Sequence, residues 1–206
     1  MKVKPMIFNP DMVRALMDGN KTQTRRPVKH QPFLSSVLPS WVFPRNKSEV
    51  ALGESGLLYP NAKESVLALS GYSVGDLIYV RETFSETDIR PAYKADSDDG
   101  IHCIVKRWTP SIHMPRWASR LTLKVTSVRI ERVQNISPND CIAEGFRGGH
   151  GSIPGYMYSA TPKEHFSETW KQIYGDHWDS NGWCWVIDFE VIHQNVDSYL
   201  KNLEAA

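Results

Sequence analysis

Three polar residues each followed by proline, Asn9-Pro10, Ser137-Pro138 and Thr161-Pro162, are answered a short way on by Gly19, Gly145 and Gly175, so every helix they start is short. The polar side chain accepts a backbone N–H that the helix leaves unpaired, proline is pre-set for the first turn, and glycine supplies the left-handed residue that ends it. The first helix carries an apolar stripe of Met12, Val13 and Leu16. The third carries Phe166, Trp170, Ile173 and Tyr174. Helices this short do not enclose a core alone, so the remaining apolar runs are expected to do so as strands.

Those runs are visible. Tyr72 to Asp76 reads as a turn feeding the strand Leu77 to Val80, apolar on both faces and therefore central, with Arg81 and Glu82 at its end. Between Ser119 and Arg132 apolar residues alternate at Leu121, Leu123 and Val125, then shift phase to Val128 and Ile130, which predicts a bulge or bend near Thr126 and Ser127. Trp183 to Val191 is a third strand, with Asp188 and Glu190 at alternate positions. The expected fold class is α+β on a curled sheet, in a single domain over residues 1–206 with insertions at about 29–70, 85–118 and 147–182. The first insertion, with Pro32, Pro39, Pro44 and Pro60, has the length of a lid or binding loop. In the second, short strands near Ala92 to Ala95 and His102 to Trp108 are expected to form a hairpin around the acidic turn Asp96 to Gly100.

No apolar run approaches the roughly 20 residues needed to cross a bilayer, and no signal peptide is evident, so a cytoplasmic protein without a membrane partner is expected. Cys103, Cys141 and Cys184 fit neither a disulfide framework nor a thiolate zinc site and read as buried thiols. The seven histidines show no metal spacing, and neither a metal nor another cofactor is expected. The formal net charge of +1 conceals blocks of +6 (1–50), −5 (51–100), +6 (101–135) and −6 (136–206). The basic blocks either line a phosphate-attracting cleft or pair with the acidic ones.

Behind the first helix stop, Gly19-Asn20-Lys21-Thr22-Gln23-Thr24-Arg25-Arg26 crowds an amine, two threonine hydroxyls and two guanidinium groups onto a turn. Glu144 falls in the last turn of the second helix, the negative end of its dipole, where a carboxylate is unfavourable without some other partner.

Taken together, the Gly-x-Lys-x-x-Thr-x-Arg segment after a helix, the Val74-Gly75-Asp76 turn into a strand, the helix ending in Ala143-Glu144 and the Trp185-Val186-Ile187-Asp188-Phe189 strand resemble the ASCH domain family. The resemblance covers Asp11 to Arg26, Tyr72 to Glu82, Leu121 to Phe146 and Trp183 to Val191, and it implies a PUA-like β-barrel with a few short helices and long inserted loops. With Arg81-Glu82 and Pro115 to Arg120, the whole pattern is similar to proteins carried by bacteriophages and prophages.

One branch of small bacterial ASCH proteins removes acyl groups from the exocyclic nitrogen of cytidine, as in N4-acetylcytidine amidohydrolases, using a Lys, a Thr and a Glu. Its Gly-x-Lys-Thr-x-Thr-x-Arg pattern matches Gly19, Lys21, Thr22, Thr24 and Arg26, so the resemblance implies Lys21, Thr24 and Glu144 as catalytic residues. This chain is about twice the length of that branch, and its insertions could reshape the pocket.

The chemistry is coherent. A threonine hydroxyl needs a base to become a nucleophile, and a lysine serves when burial favours its neutral form. Lys21 and Thr24 converge only if the chain is still turning at Thr22, because residues three apart on a regular strand face opposite ways. Glu144 would orient the lysine or protonate the leaving amine. Arg26 and Arg25 would hold a phosphate or carbonyl oxygen, Tyr79 or Trp185 would stack on a base, and Glu82 is a competing site carboxylate. The implied partner is a nucleoside or RNA substrate. Two other expectations are a non-enzymatic RNA-binding or modified-base-reading module, and a phage accessory protein that meets a host protein through exposed Trp108, Trp117 or Trp178.

Overall fold

Both edges of the central sheet carry a proline, and this fixes where the sheet stops. The computed structural model describes residues 1–34, 41–42, 66–96 and 101–205. Five strands, β1 (Val3–Ile7), β2 (Gln23–Pro27), β5 (Leu77–Arg81), β8 (Thr122–Arg132) and β9 (Trp183–Ile192), form one mixed sheet in the order β1-β5-β8-β9-β2. Pro5 lies inside β1 and Pro27 ends β2. Proline has no N–H to donate to a further neighbour, so both strands suit edges. The architecture is α+β with a few short helices, and the sheet is open among the described residues. The four remaining strands pair as two short ribbons, β3 (Phe33–Leu34) with β4 (Trp41–Val42) and β6 (Phe84–Ser85) with β7 (Ala92–Tyr93).

The chain groups into two compact units, and β8 and β9 each run from one into the other. The first comprises residues 1–22, 74–126 and 189–206. Here β1 runs parallel to β5, with Val3 opposite Leu77 and Ile7 opposite Arg81, and β5 runs antiparallel to β8, with Ile78 opposite Leu123. Strand β5 therefore has a neighbour on each side, as its two apolar faces require. Helix α1 (Pro10–Met17) starts where expected, the Asn9 side chain accepting from the Met12 N–H at 2.8 Å. Gly19 at φ +69° ends it. Val13 and Leu16 are buried, while Met12 is half-buried. A C-terminal helix is capped by Asn195, whose amide also reaches the carbonyls of Arg116, Trp117 and Ser119 at 2.7–3.2 Å and so pins the Pro115 to Arg120 segment.

The second unit comprises residues 23–73 and 127–188. Strand β2 runs antiparallel to β9, with Thr24 opposite Ile187 and Arg26 opposite Trp185. Helix α2 (Pro138–Ala143) has the capping box of Ser137 and Asp140, and α3 (Pro162–Tyr174) that of Thr161 and Glu164. Val28, Val66, Ile130, Trp183 and Trp185 form an apolar cluster, joined by Leu67 and Leu69. Along β8 the buried apolar positions change from odd numbers (Leu123, Val125) to even (Ile130), which is the expected phase shift, and the strand is unbroken through Thr126 and Ser127.

Several expectations are corrected. Ile173 is 58% exposed, so the buried stripe of α3 is Phe166 and Trp170, with Tyr174 half-buried. Cys103 is exposed, while Cys141 and Cys184 are buried. His102 to Trp108 is not a strand: residues Ile101–Ile104 form a 3-10 turn, and the His102 and Trp108 rings pack edge to face within the segment. The partner of Ala92-Tyr93 is instead the upstream Phe84-Ser85. Residues 35–40 and 43–65 of the first insertion and 97–100 of the acidic turn lie outside the described residues. Of the tryptophans singled out, Trp117 is 57% exposed and Trp108 and Trp178 are half-buried. No helix among the described residues is long and apolar enough to cross a membrane.

One contact in the second unit makes its stability depend on pH. His177 Nδ1 accepts the Trp170 indole N–H at 3.2 Å, so this nitrogen must stay unprotonated. Burial pushes the His177 pKa below its usual value, against a smaller opposing pull from the Trp183 backbone. Below about pH 6.5 the unfolded chain takes up a proton that the folded chain resists, so stability falls with falling pH. The thermal midpoint is expected to drop between pH 7.5 and 5.5 in the native protein and to drop less in His177→Gln, as followed by scanning calorimetry.

Candidate functional site

Regular strand begins only at Gln23, and Lys21 stands before it as an isolated bridge residue, so strand alternation does not assign the Lys21 side chain to either face of β2. In the first unit, the Lys21 backbone N–H returns to Ala15 O at 3.0 Å, closing the turn behind α1. Its side chain is among the largest fully buried ones, and its Nζ lies 5.9 Å from the centroid of the Phe8 ring. Lysine is rarely buried to this degree unless it has a specific environment.

Glu82, also in the first unit, is 1% exposed. Arg120 grips both carboxylate oxygens, Nε to Oε1 at 2.9 Å and Nη2 to Oε2 at 3.0 Å, and reaches Asp96 at 2.6 Å. The Arg120 guanidinium also lies 4.0 Å from the centre of the Tyr93 ring. Burial raises the Glu82 pKa, and the Arg120 hydrogen bonds and charge pull against that rise. A carboxylate held this fully fits a structural ion pair. Tyr79 is half-buried with the Arg116 guanidinium 6.0 Å from its ring.

In the second unit the alternation of β2 directs Gln23 and Arg25 to one face and Thr24 and Arg26 to the other. Thr24 is 3% exposed. Arg25 is also buried, and its guanidinium meets three carboxylates: Glu131 at 3.0 Å, Asp140 at 3.3 Å and Glu144 at 3.7 Å. Gln23 accepts from Arg25 and donates to Asp140 at 3.1 Å and to Asp188 at 2.7 Å. Arg129 completes the network by pairing with Glu131 at 2.6 Å, with Asp188, and with Asp140 at 3.5 Å. Burial works against the Asp140 carboxylate, but the Ser137 hydroxyl, the Gln23 amide and Arg25 outweigh it and hold its pKa below the ordinary value. Burial likewise opposes the charge on Arg129, and its three carboxylates more than restore it. Two guanidinium groups thus serve four carboxyl groups.

This network explains why Glu144 stands at the unfavourable end of α2. It is the C-cap residue and 3% exposed, and the Arg25 guanidinium supplies the positive charge that the helix end lacks. The structure therefore places Arg25 among carboxylates rather than on an open surface. The chain matches no family model, no curated protein and no solved structure. Of the remaining expected residues, Arg26 is half-buried with Nη1 3.4 Å from the Tyr174 hydroxyl, and Trp185 is 6% exposed inside the apolar cluster.

The network residues Gln23, Arg129, Glu131 and Asp188 were not singled out as site residues from the sequence. The signals were a charge inside an apolar strand, at Asp188, and a Gln at i−2 on the same strand face as Arg25. Among the described residues no group of three or more His, Cys, Asp or Glu side chains is placed to hold a metal ion. The arginines of the basic blocks are largely engaged with acids: Arg14 with Asp11, Arg116 with Asp197, and Arg25, Arg120 and Arg129 as described.

Proposed function

We propose that this chain is an amidohydrolase that removes an acyl group from the exocyclic nitrogen of cytidine or a related nucleobase, with Thr24 as nucleophile, Lys21 as base and Glu144, whose contact with Arg25 assigns it to the face of β2 away from Thr24, as a group that orients the lysine rather than one that meets the substrate. The observation that carries the proposal is burial: Lys21, Thr24 and Glu144 are each at most 3% exposed. A solvated turn and an ordinary helix surface would leave all three in water. Their match to the Lys-Thr-Glu pattern of the small ASCH amidohydrolases supports the assignment.

In the reaction, Thr24 Oγ attacks the acyl carbon as its proton passes to the amine of the base. The tetrahedral adduct then breaks its C–N bond, the exocyclic nitrogen takes up a proton and leaves, and water hydrolyses the threonyl ester to release the carboxylate. A buried amine suits the first step because removal from water favours its neutral form. In this proposal the curled sheet belongs to the PUA-like barrels, supported by the phase change along β8. A non-enzymatic RNA module has less support, since five arginines of the basic blocks, Arg14, Arg25, Arg116, Arg120 and Arg129, pair with carboxylates.

Purified protein incubated with N4-acetylcytidine and other acylated pyrimidine nucleosides is expected to convert at least one of them to the free amine, followed by ultraviolet absorbance. Absence of turnover across the panel would sink the proposal.

A further inference from the structure

Between the buried Phe146 and the buried Ala160, residues 147–160 form a loop whose tip presents Tyr156, Met157 and Tyr158 to solvent at 40, 81 and 70% exposure. The feet of this loop are fixed. Gly149 and Ala160 exchange two backbone hydrogen bonds, at 2.8 and 3.2 Å, and the Ser152 hydroxyl returns to Gly149 O at 2.8 Å. At Gly148, with φ +68°, a Cβ would stand 2.3 Å from Ala160 O, so only glycine allows the closure. Phe146 packs edge to face on His165 and Phe166 of α3. The Tyr156 hydroxyl is hydrogen-bonded to Glu164, and the Tyr156 and Tyr158 rings lie 6.0 Å apart, edge to face.

Large rings in water are unfavourable, and a loop anchored at both feet that still exposes two of them has a surface ready for a flat partner. The charge indicates which partner. Residues 136–206 contain four basic and ten acidic side chains, yet the fourteen residues 147–160 contain no carboxylate and carry the exposed Arg147 and His150. Rings for stacking, with the Arg147 guanidinium nearby in sequence and no carboxylate within the loop itself, the neighbouring Glu164 being taken up by Tyr156 and the Thr161 cap, match a single strand of nucleic acid: bases have flat faces, and the backbone phosphates are attracted by cations. The loop begins three residues after Glu144, in the same unit of the chain.

We infer that the loop 147–160 is a single-stranded nucleic-acid site, on which Tyr156 and Tyr158 stack bases and Arg147 and His150 meet phosphates. The inference deepens the amidohydrolase reading and rests on it for one point, that the acylated base is presented within a strand rather than as a free nucleoside.

Fluorescence anisotropy with a labelled single-stranded RNA of about 12 nucleotides, within the usual site sizes, tests it. The native protein is expected to bind, more weakly as salt rises. Tyr158→Ala is expected to lose roughly tenfold in affinity, and the Tyr156→Ala/Tyr158→Ala double variant more, since each stacked base contributes separately. Tyr158→Phe keeps the ring and is expected to bind as the native protein does. Tyr158 is largely exposed, so its variants keep the native thermal midpoint. No binding by the native protein, or equal binding by the native protein and the double variant, overturns the inference whatever the nucleoside assay gives. Loop-dependent binding by a protein that turns over no acylated base would support the strand site and remove the amidase reading alone.

Discussion

Arg25→Met is expected to be among the most destabilising single substitutions in this protein, lowering the unfolding free energy by about 3–5 kcal/mol, the cost of breaking a buried ion pair from one side. The reason lies in what remains behind. Glu131, Asp140 and Glu144 lose the guanidinium that they share, while Arg129 stays with Glu131 and Asp140. Arg25→Lys is expected to recover only part of the loss, because a point charge on a flexible stem cannot replace a planar fork among three acceptors. Urea unfolding followed by tryptophan fluorescence measures both. Because Arg25 and Asp140 belong to one network, adding Asp140→Asn to Arg25→Met should cost less than the sum of the two single changes. Strict additivity would mean that the two side chains act independently and that the network has been misassigned.

Local chemistry explains what could be read from the sequence. Asn9, Ser137 and Thr161 act as caps through hydrogen bonds that close within three residues, so their neighbours in the chain suffice to place them. The centrality of β5 follows from apolar residues on both faces, and the phase change along β8 from a shift in a period-two pattern. Tertiary partners explain what could not. Arg25 looks like a free cation on a turn until residues more than a hundred positions away bring Glu131, Asp140 and Glu144 to it. Trp185 looks like a stacking ring until Val28, Val66 and Ile130 close around it. Ile173 keeps the helical period of Phe166 and Trp170, yet it is 58% exposed, because period assigns a residue to a side of a helix but not the width of the surface packed there. Pro5 and Pro27 carry a local signal of the same kind as the caps, because a residue without an N–H suits an edge strand.

The largest functional effects are expected at Thr24 and Lys21, and the pattern across conservative variants separates catalysis from mere burial. Thr24→Val keeps the shape of the side chain and removes the hydroxyl, so turnover should vanish. Thr24→Ser restores a nucleophile and should restore part of the activity. At Lys21 the informative change is to arginine. Arginine keeps a positive charge but does not give up its proton in proteins, so it replaces a structural cation and not a base. If Lys21 takes the threonine proton, Lys21→Arg and Lys21→Met should each lose about 10²- to 10⁴-fold in kcat, the usual contribution of a positioned base. Lys21→Arg retaining most of the activity would instead mean that the buried amine only holds charge in place. Kinetics must be read beside stability, because Lys21 is among the largest fully buried side chains and either replacement disturbs its packing. A kcat loss measured well below each variant's own thermal midpoint belongs to chemistry; one that appears only on approach to unfolding belongs to the fold.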